Sequence, residues 1–238
     1  MTDAAWDVAE RRLATLAEEY RLSSATATAL HDLLQVFATD EHAATTVRAP
    51  DLAVDRHIAD ALSGLTVDAV DRAERLVDIG TGAGVPSLVL AAARPECAVV
   101  ALDTVGRKVT WVTGVAERLG LGNVAGVHAR AEDWPQGRDA HDVVTARAVA
   151  PLGVLIEYAG PLLRVGGSLV AWKGAIDQDE RAEADVATRA LAMGAIDDRP
   201  VTPWEGARDH RLVVTTKRGA TPQGFPRRVG LARRKPLG

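Results

Sequence analysis

The chain has 238 residues, with 28 Lys plus Arg against 32 Asp plus Glu, one cysteine, 47% hydrophobic and only 4% aromatic residues; at about 150 residues per domain this fits a soluble globular protein of one large α/β domain with appendages, or of two small domains. The lone Cys97 excludes an internal disulfide and a four-cysteine zinc site and makes a reducing cytoplasm the expected compartment, while no apolar run approaches the ~18 residues of a membrane span and the acidic start, Met1 to Glu10, does not read as a signal peptide. The net charge of −4 weighs against a nucleic-acid binder, yet it combines a tail from Lys217 to Gly238 at +7 with a body at −11.

The first 65 residues read as helices. Leu13, Leu16 and Tyr20 form one apolar stripe, Leu30, Leu33, Leu34 and Phe37 a second, and Ile58, Leu62 and Leu65 a third, with Ser23 and Ser24 placed to cap the second. No glycine precedes Gly64 and Pro50 is the only early proline, so residues 1–65 are expected to be a compact helical extension of an α/β domain spanning residues 66–238. After Arg75 short apolar runs alternate with helical stretches. Strands are expected at Leu76 to Ile79, Ala98 to Leu102, Asn123 to His128, Asp142 to Thr145 and Ser168 to Trp172, and helices near Pro86 to Ala93, Arg107 to Leu119 and Leu152 to Leu163. That alternation is the signature of a doubly wound, mostly parallel sheet. A helix at Gln178 to Met193 leads to two late strands, near Ala195 to Val201 and Arg211 to Lys217, which make seven strands with an antiparallel edge. The end of the chain, Thr221 to Gly238, is expected to be irregular.

The sharpest local signal is Leu76-Val77-Asp78-Ile79-Gly80-Thr81-Gly82-Ala83-Gly84-Val85-Pro86, a strand that runs into three alternating glycines and then a helix. Such glycines allow positive φ and close approach of backbone to a ligand, and the helix adds free amide donors. A dinucleotide fingerprint would place its third glycine at Val85. Asp78 suits the ammonium of an amino-acid moiety better than a pyrophosphate. Asp103 closes the second strand, where its carboxylate can accept from both hydroxyls of a ribose. A nucleoside with an amino-acid tail and no phosphate matches: S-adenosylmethionine, with Asp78, Gly80, Thr81, Gly82, Gly84 and Asp103 as its candidate contacts. Ala129-Arg130-Ala131-Glu132-Asp133-Trp134 follows the third strand, at the place of the adenine edge.

The fourth and fifth strands end in Val144-Thr145-Ala146-Arg147 and Val170-Ala171-Trp172-Lys173. Charged residues just past carboxyl strand ends point into the ligand crevice of such sheets, so Arg147 and Lys173 are candidate catalytic residues that hold a phosphate or a carbonyl oxygen. His57 lies beside an apolar stripe and reads as a packing histidine. His128 and His141 are isolated and no pair has ligand spacing, so no metal is expected. Trp134 and Trp172 flank the site, where packing in the core or at the rim is at least as open to them as stacking on a base.

These pieces together resemble the glucose-inhibited division protein B family of bacterial small-subunit ribosomal RNA guanine-N7 methyltransferases. The resemblance is carried by Arg56-His57-Ile58-Ala59-Asp60-Ala61-Leu62, Asp78 to Pro86, Leu102-Asp103-Thr104-Val105-Gly106-Arg107-Lys108, Arg130-Ala131-Glu132-Asp133, Ala146-Arg147-Ala148-Val149-Ala150-Pro151-Leu152, Trp172-Lys173-Gly174 and Phe225-Pro226-Arg227-Arg228. It implies a Rossmann-like class I methyltransferase fold, cofactor contacts at Gly80, Val85, Ala131, Glu132 and Arg147, an RNA contact at Arg227 and Arg228, and 16S ribosomal RNA or the small ribosomal subunit as partner of a monomeric, cytoplasmic enzyme. The family usually carries Trp-Asn and Asn-Leu-Thr after the second helix, whereas Phe37 to Thr46 has neither asparagine, and Ser87 stands where the family tends to have glycine. The residues also admit a small-molecule methyltransferase with the helices as a lid, and a non-catalytic cofactor binder. A nicotinamide oxidoreductase is disfavoured by the glycine spacing and by Asp78.

Overall fold

The computed structural model describes residues 2–237. Helices α1 (Asp3–Glu19) and α2 (Ser24–Thr39) follow the first two stripes, and Leu13, Leu16, Leu30, Leu33, Leu34 and Phe37 are buried. The Ser23 hydroxyl accepts from the Thr26 amide at 3.1 Å, which satisfies one of the free donors of the first turn of α2. The third helical stretch is more broken than its stripe suggests. It runs through α3 (Pro50–Ala53), a π-helical turn (Val54–Ala59), α4 (Asp60–Leu62), a 3-10 turn (Ser63–Thr66) and α5 (Asp68–Asp71). A Cβ at Gly64 would sit 2.5 Å from Cζ2 of Trp172, so glycine is what lets this stretch meet the sheet.

The α/β part proceeds as β1 (Arg75–Ile79), α6 (Ser87–Ala93), β2 (Ala98–Asp103), α7 (Gly106–Arg118), β3 (Val124–His128), β4 (His141–Arg147), α8 (Leu152–Ala159), β5 (Leu163–Lys173), α9 (Gln178–Ala190), β6 (Asp197–Pro200) and β7 (Arg211–Thr216). The seven strands lie in the order β3-β2-β1-β4-β5-β7-β6. The first five are parallel, β7 runs antiparallel to β5, and β6 antiparallel to β7. The expected class I arrangement is therefore present. α8 stops at Ala159 because Gly160 and Pro161 follow, and Pro161 has no amide to continue the ladder. β5 starts before Ser168, and the expected strand from Ala195 shrinks to four residues after a chain reversal in which Ala192 takes φ 55°.

Strand residues alternate between two apolar layers, as the period of two requires. Val77, Leu169 and Ala171 pack with α8 and α9, whereas Leu76, Val170 and Trp172 face the other way. The N-terminal helices are not a detached appendage to this core: Leu16, Leu30, Phe37 and Ile58 share one cluster with Val85, Leu88 and Val112.

The end of the chain is more ordered than its composition suggests. Lys217 is fully buried and its ammonium donates to Asp139, the Leu163 carbonyl and the Thr221 hydroxyl at 2.6, 2.7 and 2.8 Å. A single turn, α10 (Leu231–Arg234), interrupts the irregular stretch. Arg227 donates to both oxygens of buried Glu157 on α8. Two of the seven basic residues of the tail are thus consumed inside the fold.

The glycines of the loop differ in what they allow. Gly80, Gly82 and Gly84 all have positive φ, at 69°, 59° and 76°, but a Cβ at Gly84 would collide with Leu88 while one at Gly82 would meet the Gly80 carbonyl oxygen at an ordinary 3.7 Å. Gly84→Ala is expected to lower stability by about 1–3 kcal/mol through strain plus overpacking, and Gly82→Ala by only about 1 kcal/mol, as measured by urea unfolding.

Candidate active site

The order of the sheet reverses between β1 and β4, and at such a switch point the loops that follow the strands part to leave a crevice. Two cavities open there. The first, about 350 Å³, is bordered by Gly80, Asp103, Ala131, Glu132, Ala148 and Arg233. The amides of Gly80 and Thr81 both donate to the Leu102 carbonyl, at 2.7 and 3.1 Å, which turns the glycine loop over the end of β2. A Cβ at Gly80 would lie 2.8 Å from Val149. The Asp103 carboxylate accepts from the amides of Gly82 and Val105 at 3.1 and 2.9 Å. A carboxylate has about four acceptor sites, so two remain for a pair of hydroxyls. Ile79, Leu102 and Ala131 supply apolar walls, and Glu132 is oriented by accepting from the Gly230 amide at 3.0 Å. A buried diol acceptor beside an apolar slot fits a nucleoside.

The remaining loop residues lie elsewhere. Asp78 is 1% exposed and sits beneath the loop instead of on the cleft wall. Its Oδ1 accepts from the Thr145 hydroxyl at 2.8 Å, while Oδ2 has no hydrogen-bond partner. Burial pushes its pKa up to about 6, against the pull of the Thr145, Thr81 and Ser87 hydroxyls and the charge of Arg147. Thr81 and Ser87 join hydroxyls at 2.5 Å, so the serine at this position ties the loop to the first turn of α6. Gly84 and Val85 face the packing of α6, α7 and the N-terminal helices. Gly82 borders a separate hollow with His42, Arg107, Lys108 and Trp111. There the altered Phe37 to Thr46 stretch folds back on α7: Asp40 accepts from Trp111 Nε1 at 3.0 Å, and Phe37 packs on His57 and Trp111.

The second cavity, about 670 Å³, holds both strand-end cations, Arg147 and Lys173, and touches the first at Ala148. Ala148 itself takes φ 56°, a strained backbone for alanine at the junction of the two. Arg147 donates to Asp60 at 2.9 Å and to the Arg56 carbonyl at 2.8 Å. Lys173 pairs with Glu180 at 2.6 Å, and Glu180 also accepts from the Leu152 amide at the start of α8. The two cations are therefore fixed by carboxylates. His57 is a buried packing histidine: its ring nitrogens lie within 3.2 Å of the Val47 and Arg56 carbonyls, and burial, helped by the charge of Arg147, pushes its pKa down to about 4.

Trp172, Trp134 and Arg227 are each taken up by packing or pairing within the fold. Trp172 is core, 5% exposed, with its Nε1 donating to the Asp60 carbonyl at 2.7 Å. Trp134 covers Gly137 and packs on His141. Arg227 is held by Glu157, which leaves Arg228, Arg233, Arg234 and Lys235 as the exposed cations of the last stretch. The loop between β6 and β7, which carries none of the residues singled out from the sequence, adds Trp204, Arg208 and His210 to the lining of the second cavity. A tryptophan in a polar segment that follows a weak strand was the available signal.

No group of three His, Cys, Asp or Glu residues is placed to hold a metal among the described residues, and none of their helices is long and apolar enough to cross a membrane. The fold matches that of a solved S-adenosylmethionine-dependent methyltransferase, SibL in its apo form, with a TM-score of 0.58 over 91% of this chain and 76% of that one at 16% identity. With the glycine loop, Asp103 and the switch-point cleft, the protein is a class I S-adenosylmethionine-dependent methyltransferase. Residues 24–196 match the model of the GidB family, described as rRNA small subunit methyltransferase G. The ribosomal RNA small subunit methyltransferase G of Chloroflexus aggregans is 41% identical over 197 residues, 81% of this chain and 82% of that protein. That of Symbiobacterium thermophilum is 35% identical over 238 residues, 96% of each. The chain belongs to this family.

The raised pKa of Asp78 has a measurable consequence. An acid that is protonated more readily in the folded state adds stability at low pH and loses it as pH rises, here between about 4 and about 6. Asp78→Asn removes that loss, so in the cofactor-free protein it is expected to stabilise by up to about 3 kcal/mol at pH 7.5. The gain should shrink towards pH 5, as read by urea unfolding across pH.

Proposed function

We propose that the protein transfers a methyl group from S-adenosylmethionine to N7 of a guanine in 16S ribosomal RNA. The proposal rests on one observation above others: a cleft with the buried acceptor Asp103 and a cavity lined by Arg56, Arg147, Lys173 and Arg208 adjoin at Ala148. The names of the relatives point to small-subunit ribosomal RNA as the substrate. In this reading residues 1–65 are a helical extension of the methyltransferase domain at 66–238, the protein works as a cytoplasmic monomer, and Asp103, Gly80, Ala131 and Glu132 hold the nucleoside.

The cofactor supplies an electrophilic methyl group on a sulfonium. Guanine N7 offers a lone pair with no proton to remove, so the reaction asks for alignment and electrostatics rather than a base. His57 meets that description by its inertness, since it is buried and its ring nitrogens are engaged. Arg147 is held by Asp60 and the Arg56 carbonyl and presents the remainder of a rigid planar donor set to the cavity. Lys173 keeps donors beyond the one given to Glu180. Together they suit a phosphate or the O6 of an unstacked guanine. Asp78 lies buried at the end of β1, bonded to Thr145 of β4.

Calorimetry with S-adenosylmethionine should show binding that falls about 10- to 100-fold in Asp103→Asn, the cost of weakened bonds to a charged acceptor. Arg147→Ala and Lys173→Ala should retain measurable cofactor binding and lose methyl transfer to 16S ribosomal RNA by about 100-fold or more. Full transfer by both variants would refute the assigned roles.

A further inference from the structure

Resting on the reading above, we infer that the loop between β6 and β7, residues 201–210, forms the acceptor wall of the second cavity and that Trp204 is the platform on which the target base stacks. Trp172, the other tryptophan of this cavity, is core and spent on Asp60, whereas Trp204 is partly exposed. Its ring is held by His210, with centroids 4.6 Å apart and planes at 71°. His210 Nδ1 lies 3.4 Å from Asp60 Oδ1, and the other oxygen of Asp60 holds Arg147 at 2.9 Å. One carboxylate thus joins the strand-end cation to the aromatic pair.

Thr202, Glu205, Gly206, Arg208 and Asp209 are exposed, with Gly206 and Asp209 at φ 83° and 57°, yet the loop is tied at three places. The Val201 amide donates to the His210 carbonyl at 2.9 Å and closes its base. His210 reaches Asp60, as above. Arg12 of α1 donates to the Pro203 carbonyl at 2.7 Å and to Asp55 at 2.9 Å. The strap from the N-terminal helix fixes the buried residue before the indole, and His210 holds the ring itself, so Trp204 meets the cavity in a set position. Arg208, beside it in the cavity, makes no ion pair among the described residues and is free to meet a phosphate.

The chemistry of the reaction gives this ring a role beyond grip. As the N7 lone pair forms its bond to carbon, the sulfur–carbon bond breaks and sulfur keeps the electron pair, so the positive charge passes from sulfur to the purine. A neutral aromatic base becomes a cation. The π face of an indole stacks on either form and attracts the second more strongly. Trp204 therefore acts on KM through stacking and on kcat through the charge that develops.

Trp204→Ala and Trp204→Phe, each checked for an unchanged melting curve and unchanged calorimetric binding of S-adenosylmethionine, test this with protein-free 16S ribosomal RNA or small subunits, whichever the unmodified protein methylates. Filter binding of that RNA substrate without cofactor adds a readout independent of transfer. Trp204→Ala should weaken RNA binding, raise KM, lower kcat and cut kcat/KM by about 5- to 150-fold, the range of a lost base–aromatic stack, whereas Trp204→Phe should stay within about threefold of the parent. Parental binding and kcat/KM in Trp204→Ala, or equal losses in both variants, would overturn the inference. A parent protein that binds cofactor and methylates neither RNA nor subunit would instead overturn the reading on which it rests.

Discussion

The ion pair between Asp60 and Arg147 is the joint on which the site depends. Asp60 belongs to the broken helix of the N-terminal region, Arg147 ends β4, and they are 87 residues apart in the chain and 2.9 Å apart in the fold. The Asp60 side chain is 7% exposed. A charge taken so far out of water is tolerated only when paired and hydrogen-bonded, and removing one partner from such a pair costs about 3–5 kcal/mol. Asp60 meets the condition by receiving Arg147 on one oxygen and His210 on the other, and the backbone of the same residue receives the indole of Trp172. The N-terminal helices, two central strands and the β6–β7 loop are thereby brought to one point, beside the place where the strand order reverses.

This joint explains why the N-terminal helices cannot be considered apart from the site. They share a core with α6 and α7, they supply Asp60 and the buried His57, and Arg12 straps the loop that carries Trp204. The stretch from Phe37 to Thr46, which departs from the usual family text, packs on α7 and on His57 through Phe37 and Asp40. Glu41 to Ala44 line the hollow that Gly82 borders, and Thr45 meets His57 Nε2 at 2.9 Å.

What could be read in the sequence divides along physical lines. The mostly parallel sheet and its antiparallel edge were legible because apolar runs of strand length alternate with helical periods, and the glycine loop and Asp103 were legible because their chemistry is local to two strand ends. Arg147 and Lys173 followed from position alone. What was not legible depends on contacts between distant segments. Nothing near Lys217 or Arg227 in the chain shows that Asp139 and Glu157, 78 and 70 residues away, would claim them, so the +7 of the tail overstates the charge presented to a partner. Trp172 and Trp204 look alike in sequence, and only the fold separates a core anchor from a partly exposed ring. Asp78 is expected as a ligand contact from its place in the strand, and the fold shows it buried and bonded to Thr145 of β4.

The net charge also takes on a more definite meaning. Phosphate attraction is screened within about 8–10 Å at ordinary salt, so a body of negative sign does not oppose RNA where Arg56, Arg147, Lys173 and Arg208 line one cavity. The central claim is that this cavity delivers a guanine of 16S ribosomal RNA to the methyl donor. Mapping N7-methylguanine along the 16S ribosomal RNA of cells with and without this gene tests it most directly. The account predicts one guanine that loses its N7 methyl group on deletion and regains it with the intact gene, but not with one encoding Arg147→Ala; an identical map in all strains would contradict it.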